Sequence, residues 1–161
     1  MAPVPPRSDD ARMSTLTKLT PLPSFTTARV ADAMTTGVIS CPPHTPLRAI
    51  ARIMSTRRVH AVYVFDYGSE DDETVELWGL VSDLDLVAAA RGDIDRQTAR
   101  ESSVTPLVSV QSDDPLDRAA QLMAEYGVSH LAVIDPATDR PVGVLSTFDI
   151  ARIVAAPVPS A

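Results

Sequence analysis

One stretch of this chain occurs twice. The segment GVISCPPHTPLRAIARIMSTRRVHAVYVFD at residues 37–66 returns as PLVSVQSDDPLDRAAQLMAEYGVSHLAVID at residues 106–135, at a constant offset of 69 positions. The apolar set Leu47, Ile50, Ala51 and Met54 becomes Leu116, Ala119, Ala120 and Met123. After a gap the correspondence resumes, GLVSDLDLV at 79–87 matching GVLSTFDIA at 143–151 with an offset of 64. A unit of about 55 residues barely buries enough surface to offset its own chain entropy. The two copies are therefore expected to share one core.

Within each copy the hydrophobic pattern predicts the same order of elements. A strand at 38–41 is followed by a helix with Thr45 as N-cap and Pro46 at its first position. Leu47, Ile50, Ala51 and Met54 give that helix one apolar face, and it ends near Arg57 and Arg58. The run Ala61, Val62, Tyr63, Val64, Phe65 reads as a strand covered on both faces. After an acidic turn, a strand at 77–81 pairs with it as a hairpin and a helix runs over 83–90. The second copy predicts strands at 107–110, 131–134 and 142–145, with helices starting at Pro115 and Thr147. The fold class is α+β: two β-α-β-β-α units, at 29–91 and 103–156, related by a pseudo-twofold axis. Residues 1–28, with five prolines and no sustained periodicity, read as a flexible tail on which Phe25 could still dock. Residues 92–102 read as a polar surface linker with at most a helical turn, and 157–161 as a C-terminal tail.

A net charge of −7 disfavours nucleic acid or an anionic membrane as an extended partner, because both require a basic face. A small anion needs only a few local donors and stays open. The single cysteine, Cys41, rules out an intrachain disulfide and suits a reducing compartment as a buried structural thiol. No apolar run reaches membrane-spanning length and the first residues lack a signal-peptide core, so a cytoplasmic location is expected.

The repeated tetrads Ser82-x-x-Asp85 and Ser146-x-x-Asp149 sit where a buried strand turns into a helix. One role is structural: a capping box in which the serine hydroxyl accepts from the first turn and the carboxylate reaches back. The other is binding, since a carboxylate at such a rim can accept bonds from both hydroxyls of a ribose. Residue types alone leave both open.

The duplicated order of strand, proline-started helix, and two strands ending in Gly-h-h-Ser-x-x-Asp closely resembles a pair of cystathionine-β-synthase (CBS) domains in one Bateman module, over about residues 29–156. The resemblance implies a regulatory rather than catalytic protein. It also implies two clefts for AMP, ADP, ATP or S-adenosylmethionine. One would join Ser82 and Asp85 to Val108, Val128, Ser129 and His130; the other would join Ser146 and Asp149 to Ile39, Val59, His60 and Ala61. Asp85 and Asp149 would hold ribose hydroxyls, while Ile39 and Val108 enclose adenine. Many nucleotide-binding relatives place a hydroxyl or basic residue directly before the motif aspartate, whereas this chain has Leu84 and Phe148. Charge for a phosphate would then fall to Arg57, Arg58 or Arg152, and a ligand with little or no phosphate gains ground. The alternative is an interaction module with empty clefts and purely structural caps.

Other residues point to simpler roles. His44, His60 and His130 lack the spacing and companions of a metal site, and no metal or required cofactor is expected. Ser129 and His130 are adjacent, so on a strand their side chains would face opposite ways and could not pair as nucleophile and base. Trp78 reads as core, and Glu70, Asp71, Asp72 and Glu73 as a solvated hairpin tip. Leu86, Val87, Ile150, Ile153 and Val154 exceed what one small core can cover, which predicts a flat homodimer and leaves room for a separate regulated protein.

Overall fold

The computed structural model describes residues 24–67, 75–103 and 107–156. In chain order the elements are α1 (Val30–Ala33), β1 (Thr35–Thr36), β2 (Ser40–Cys41), α2 (Leu47–Arg57), β3 (Ala61–Tyr67), β4 (Val75–Ser82) and α3 (Asp83–Ala89). They continue with α4 (Ala99–Ser102), β5 (Ser109–Gln111), α5 (Leu116–Tyr126), β6 (His130–Ile134), β7 (Pro141–Ser146) and α6 (Thr147–Val154). The fold is α+β with two sheets, ordered β2-β3-β4 and β1-β7-β6-β5. In each, the first strand of the unit runs parallel to the second, and the hairpin partner runs antiparallel.

The two central strands are buried on both sides because each serves two cores. Val62 and Val64 of β3 face the helices of their own unit with Leu47, Ile50 and Val81. Ala61 and Tyr63 instead face the other unit, packing with Leu80 of their own hairpin against Ala132 of the second unit. Leu131 and Val133 of β6 repeat the arrangement in the second unit, against Leu116, Ala119 and Leu145. Alternation along a strand thus sends one residue to the helices and the next to the shared interface. Tyr63 and Ala132 are equivalent under the 69-residue offset, so a large and a small side chain fill the centre together.

The helical turns that open the two units are exchanged. The Val30 and Ala31 N–H groups donate to Asp114 and Ser112, while the Leu116 N–H donates to Ala28 O at 3.0 Å. Sixty-nine positions on, the Ala99 and Arg100 N–H groups donate to Thr45 and Pro43, and the Leu47 N–H donates to Gln97 O at 2.9 Å. This exchange corrects the expected helix starts: α2 and α5 begin at Leu47 and Leu116, with Pro46 and Pro115 as N-caps and no side-chain cap. Thr45 contributes its carbonyl instead, because the other unit's backbone satisfies the first helical N–H. The exchange also corrects the linker reading, since Ala99 is fully buried and Ile94 packs against the first core. Likewise the stretch read as tail reaches the core at its end, with Ala28 buried and Phe25 packed beside it.

β1 has no counterpart in the sequence reading. Thr35 and Thr36 pair antiparallel with Val144 and Gly143, so the chain leading into the first unit forms an edge strand on the second unit's sheet. The expected strands at 38–41 and 107–110 are shorter, because Val38, Ile39, Leu107 and Val108 bend away before the ladder begins. Ile39 and Val108 keep one ladder bond each through their carbonyls, to Tyr63 and Ala132. Cys41 is a buried free thiol, its pKa pushed up by burial. Trp78 packs on the first core with Arg100 3.8 Å over its ring, as the core reading required. The acidic segment at 70–73 lies outside the described residues.

Candidate functional site

Both Ser-x-x-Asp tetrads form complete capping boxes. Asp85 Oδ2 accepts from the Ser82 N–H and hydroxyl, each at 2.7 Å, and the Ser82 hydroxyl accepts from the Asp85 N–H. Asp149 Oδ2 accepts from the Ser146 N–H at 2.9 Å and hydroxyl at 2.6 Å, with the same return bond. The structural role is therefore met in both units, and it occupies one carboxylate oxygen of each. Asp149 is buried, and its second oxygen lies 3.5 Å from Arg152 Nη1.

The two sets of residues that the family resemblance implies each line one cavity, but the spaces they enclose differ greatly. Ser82, Asp85, Val108, Val128, Ser129 and His130 line a cavity of about 70 Å³, closed in by Leu80, Leu84 and Leu107. Ile39, Val59, His60, Ala61, Ser146 and Asp149 line one of about 840 Å³. Ligand pockets for drug-sized molecules span roughly 300–1,000 Å³, so only the second has room for a nucleoside in this conformation. The two clefts that the resemblance implies are therefore unequal in size. β1 and the segment after it, Thr35, Thr36, Gly37 and Val38, supply one wall of the larger cleft. That wall was missed because two threonines and a glycine carry no strand signal until β7 offers an edge to pair with.

His130 lines both cavities, at the boundary between them. Its ring stacks on His60 with centroids 6.5 Å apart and planes 13° from parallel. His60 Nδ1 lies 3.0 Å from Asp83 Oδ2, and His130 Nδ1 lies 2.9 Å from the Ser129 hydroxyl. The last contact corrects the expectation that Ser129 and His130 face opposite ways: Ser129 precedes β6, so strand alternation does not govern it. Among the described residues no third group hydrogen-bonds the His130 imidazole to orient it as a general base. Burial holds the His130 imidazole below its usual pKa, with His60 adding to the depression and Asp83, Asp149 and Asp85 opposing it.

A depressed histidine pKa means that the fold favours the neutral ring. Its contribution is present above the unfolded value of about 6.5 and is lost as pH falls below it. The stability difference between wild type and His130→Gln is therefore expected to shift against wild type between pH 8 and pH 5. Thermal melts at each pH read this directly; a difference constant with pH would show that His130 is not kept neutral by the fold.

Arg58 and Arg152 both line the larger cleft, whereas Arg57 lines neither. Arg58 caps α2 in the left-handed region at φ 56°, where the second unit has Gly127 at φ 63°. No arginine lines the smaller cavity. Among the described residues, no cluster of three or more His, Cys, Asp or Glu side chains is placed to hold a metal. No helix among them is long and apolar enough to cross a membrane.

Comparison with known proteins agrees with this architecture. The CBS domain family model matches twice, over residues 30–92 and 101–156. The chain is 29% identical over 124 residues to the CBS domain-containing protein YhcV of Bacillus subtilis, covering 76% of this chain and 82% of that protein. Its fold is similar to the CBS domain pair of protein MJ0100, solved in complex with 5-methylthioadenosine and S-adenosyl-L-methionine, with a TM-score of 0.65, 22% identity and coverage of 78% and 94%. It is also similar to CBS domain protein PAE2072 from Pyrobaculum aerophilum, complexed with AMP, with a TM-score of 0.63, 24% identity and coverage of 80% and 98%. Two family matches on two exchanged β-α-β-β-α units lead to one conclusion: the chain belongs to the CBS domain family and carries a tandem pair of these domains.

Proposed function

We propose that this CBS pair is a regulatory ligand sensor whose larger cleft takes an adenosine-containing molecule such as AMP, ADP, ATP or S-adenosylmethionine. The carrying observation is the asymmetry of the clefts. A space of about 840 Å³ has the buried Asp149 in its wall and Ile39 and Val59 as apolar surface, while its counterpart of about 70 Å³ is lined by Leu80, Leu84 and Leu107. Support also comes from the MJ0100 and PAE2072 pairs, solved with adenosine-containing molecules. In this reading Asp149 accepts ribose hydroxyls through Oδ1, in place of its 3.5 Å contact with Arg152, and Asp85 serves as a cap alone. Val108, Val128 and the Ser82 tetrad are structural.

Occupancy is transmitted through a homodimer in this reading. Leu84 and Val87 on α3 and Phe148 and Val154 on α6 are exposed apolar side chains that such a dimer would cover, with Val38 and Tyr126 also exposed among the described residues. The apolar surplus is smaller than the sequence suggested, because Ile153 is core and Leu86 and Ile150 pack against their own units. A monomer in light scattering at micromolar concentration would remove the dimer from the proposal.

The ligand test compares the two aspartates. Asn preserves shape and some capping but removes the charge, and hydrogen bonds to a charged group contribute about 1.5–3 kcal/mol. Asp149→Asn is therefore expected to weaken adenosine-ligand binding roughly 10- to 100-fold, with Asp85→Asn near wild type. Calorimetric titration should give one site per chain. If no adenosine compound binds below about millimolar, or both substitutions leave affinity untouched, the clefts are empty and the pair is an interaction module.

A further inference from the structure

The larger cleft is electrostatically unlike its counterpart, and the difference points to the class of ligand. Arg58 lies on the cleft wall contributed by the end of α2, and Arg152 on that contributed by α6. His60, directly before β3, lines the same cleft. The acidic groups of the same wall are already engaged: Asp83 with His60 at 3.0 Å, and Asp149 with its cap and with Arg152 at 3.5 Å. Arg58 forms no ion pair among the described residues. Its charge is uncommitted.

The backbone adds an independent observation. A left-handed helix cap suits glycine, and the second unit places Gly127 there at the same geometry. In the first unit an arginine holds that conformation at φ 56° despite its Cβ. Non-glycine residues in this region carry strain, and such strain gathers where a side chain has a task. Here the strained residue is an unpaired cation on the wall of the larger space, while its glycine equivalent lines the smaller one, which no arginine reaches.

We infer that the larger cleft selects a phosphate-bearing ligand, with Arg58 as the principal phosphate contact and Arg152 and His60 completing an anion subsite. This rests on the proposed adenosine site and deepens it. A guanidinium can donate two parallel bonds to phosphate oxygens, so the phosphate charge that relatives meet beside the motif aspartate is met here from α2. Phe148, which replaces that polar position, is then no obstacle. An uncharged nucleoside gains nothing from this subsite, and S-adenosylmethionine offers it a single carboxylate in place of a phosphate.

Calorimetry on the full chain with adenosine, AMP and S-adenosylmethionine tests the inference. AMP is expected to bind about 10- to 100-fold more tightly than adenosine, as charge-assisted bonds of this kind imply. The advantage should shrink on raising salt, since an exposed contact is screened. Arg58→Gly recreates the backbone solution of Gly127 and should remain folded, as a melt would verify. It should bring the AMP-to-adenosine ratio toward one, and Arg152→Gln should reduce the ratio by a smaller factor. If adenosine binds as tightly as AMP, or Arg58→Gly keeps the full ratio, the phosphate inference falls while the adenosine site stands. If neither adenosine nor AMP binds, both fall together.

Discussion

Replacing Tyr63 by alanine is expected to destabilise the protein by about 3–5 kcal/mol, and replacing it by phenylalanine by about 1–3 kcal/mol. Tyr63 is fully buried where the two units meet. Its hydroxyl donates to Gly143 O at 2.6 Å and accepts from the Val133 N–H at 3.2 Å. Both partners belong to the other unit, beside the point where the β6–β7 register shifts. A side chain of one repeat thus bonds backbone groups beside a bulge in the other. Phenylalanine would keep the ring and orphan those groups; alanine would add a cavity at the centre of the shared core. Urea unfolding of both variants measures the two terms, and a phenylalanine variant as stable as wild type would show that the backbone finds other partners. Burial also pushes the Tyr63 phenol well above its ordinary pKa of about 10. The unfolded chain ionises first, so this contribution is full below pH 10 and declines above it.

Gly143→Ala is the second large effect expected, about 1–3 kcal/mol by the usual cost of overpacking. A Cβ at Gly143 would sit 2.4 Å from the Thr35 carbonyl oxygen and 3.3 Å from Thr36 Cα, both backbone atoms of the paired strand β1. Backbone cannot swing aside as a flexible side chain does, so β1 must move off the sheet edge. Thr35, Thr36 and Gly37 also wall the larger cleft, which couples the stability loss to binding. The variant should therefore lose affinity for the adenosine ligand as well as stability. Retention of both would show that β1 can shift without disturbing the cleft.

Much of this molecule was legible because duplication makes its own control. The helix faces over Leu47, Ile50 and Met54 and over Leu116, Ala119 and Met123 are the buried ones, and the two central strands are covered on both sides. Ser82 and Ser146 cap α3 and α6 as their tetrads implied. The residues of each cleft implied by the family resemblance line a common cavity. What escaped notice was β1, a two-residue strand without periodicity, and the fact that the turns α1 and α4 find their partners in the opposite unit. Ser129 was misjudged for a related reason, since alternation was applied one residue before its strand begins.

Sequence alone determined that two like units must share a core, because each carries a helix face and a double-sided strand that it cannot cover by itself. It also determined where the two aspartates stand, because a capping box is a local structure whose parts lie three residues apart. Tertiary structure decided which unit each opening turn serves, since the exchanged bonds join Val30 to Asp114 and Ala99 to Thr45 across 84 and 54 positions. It alone decided that the clefts are unequal. Cleft volume depends on how leucines of one unit meet the strand ends of the other, and on which edge β1 joins. Those are distances between segments far apart in the chain, and no local pattern carries them.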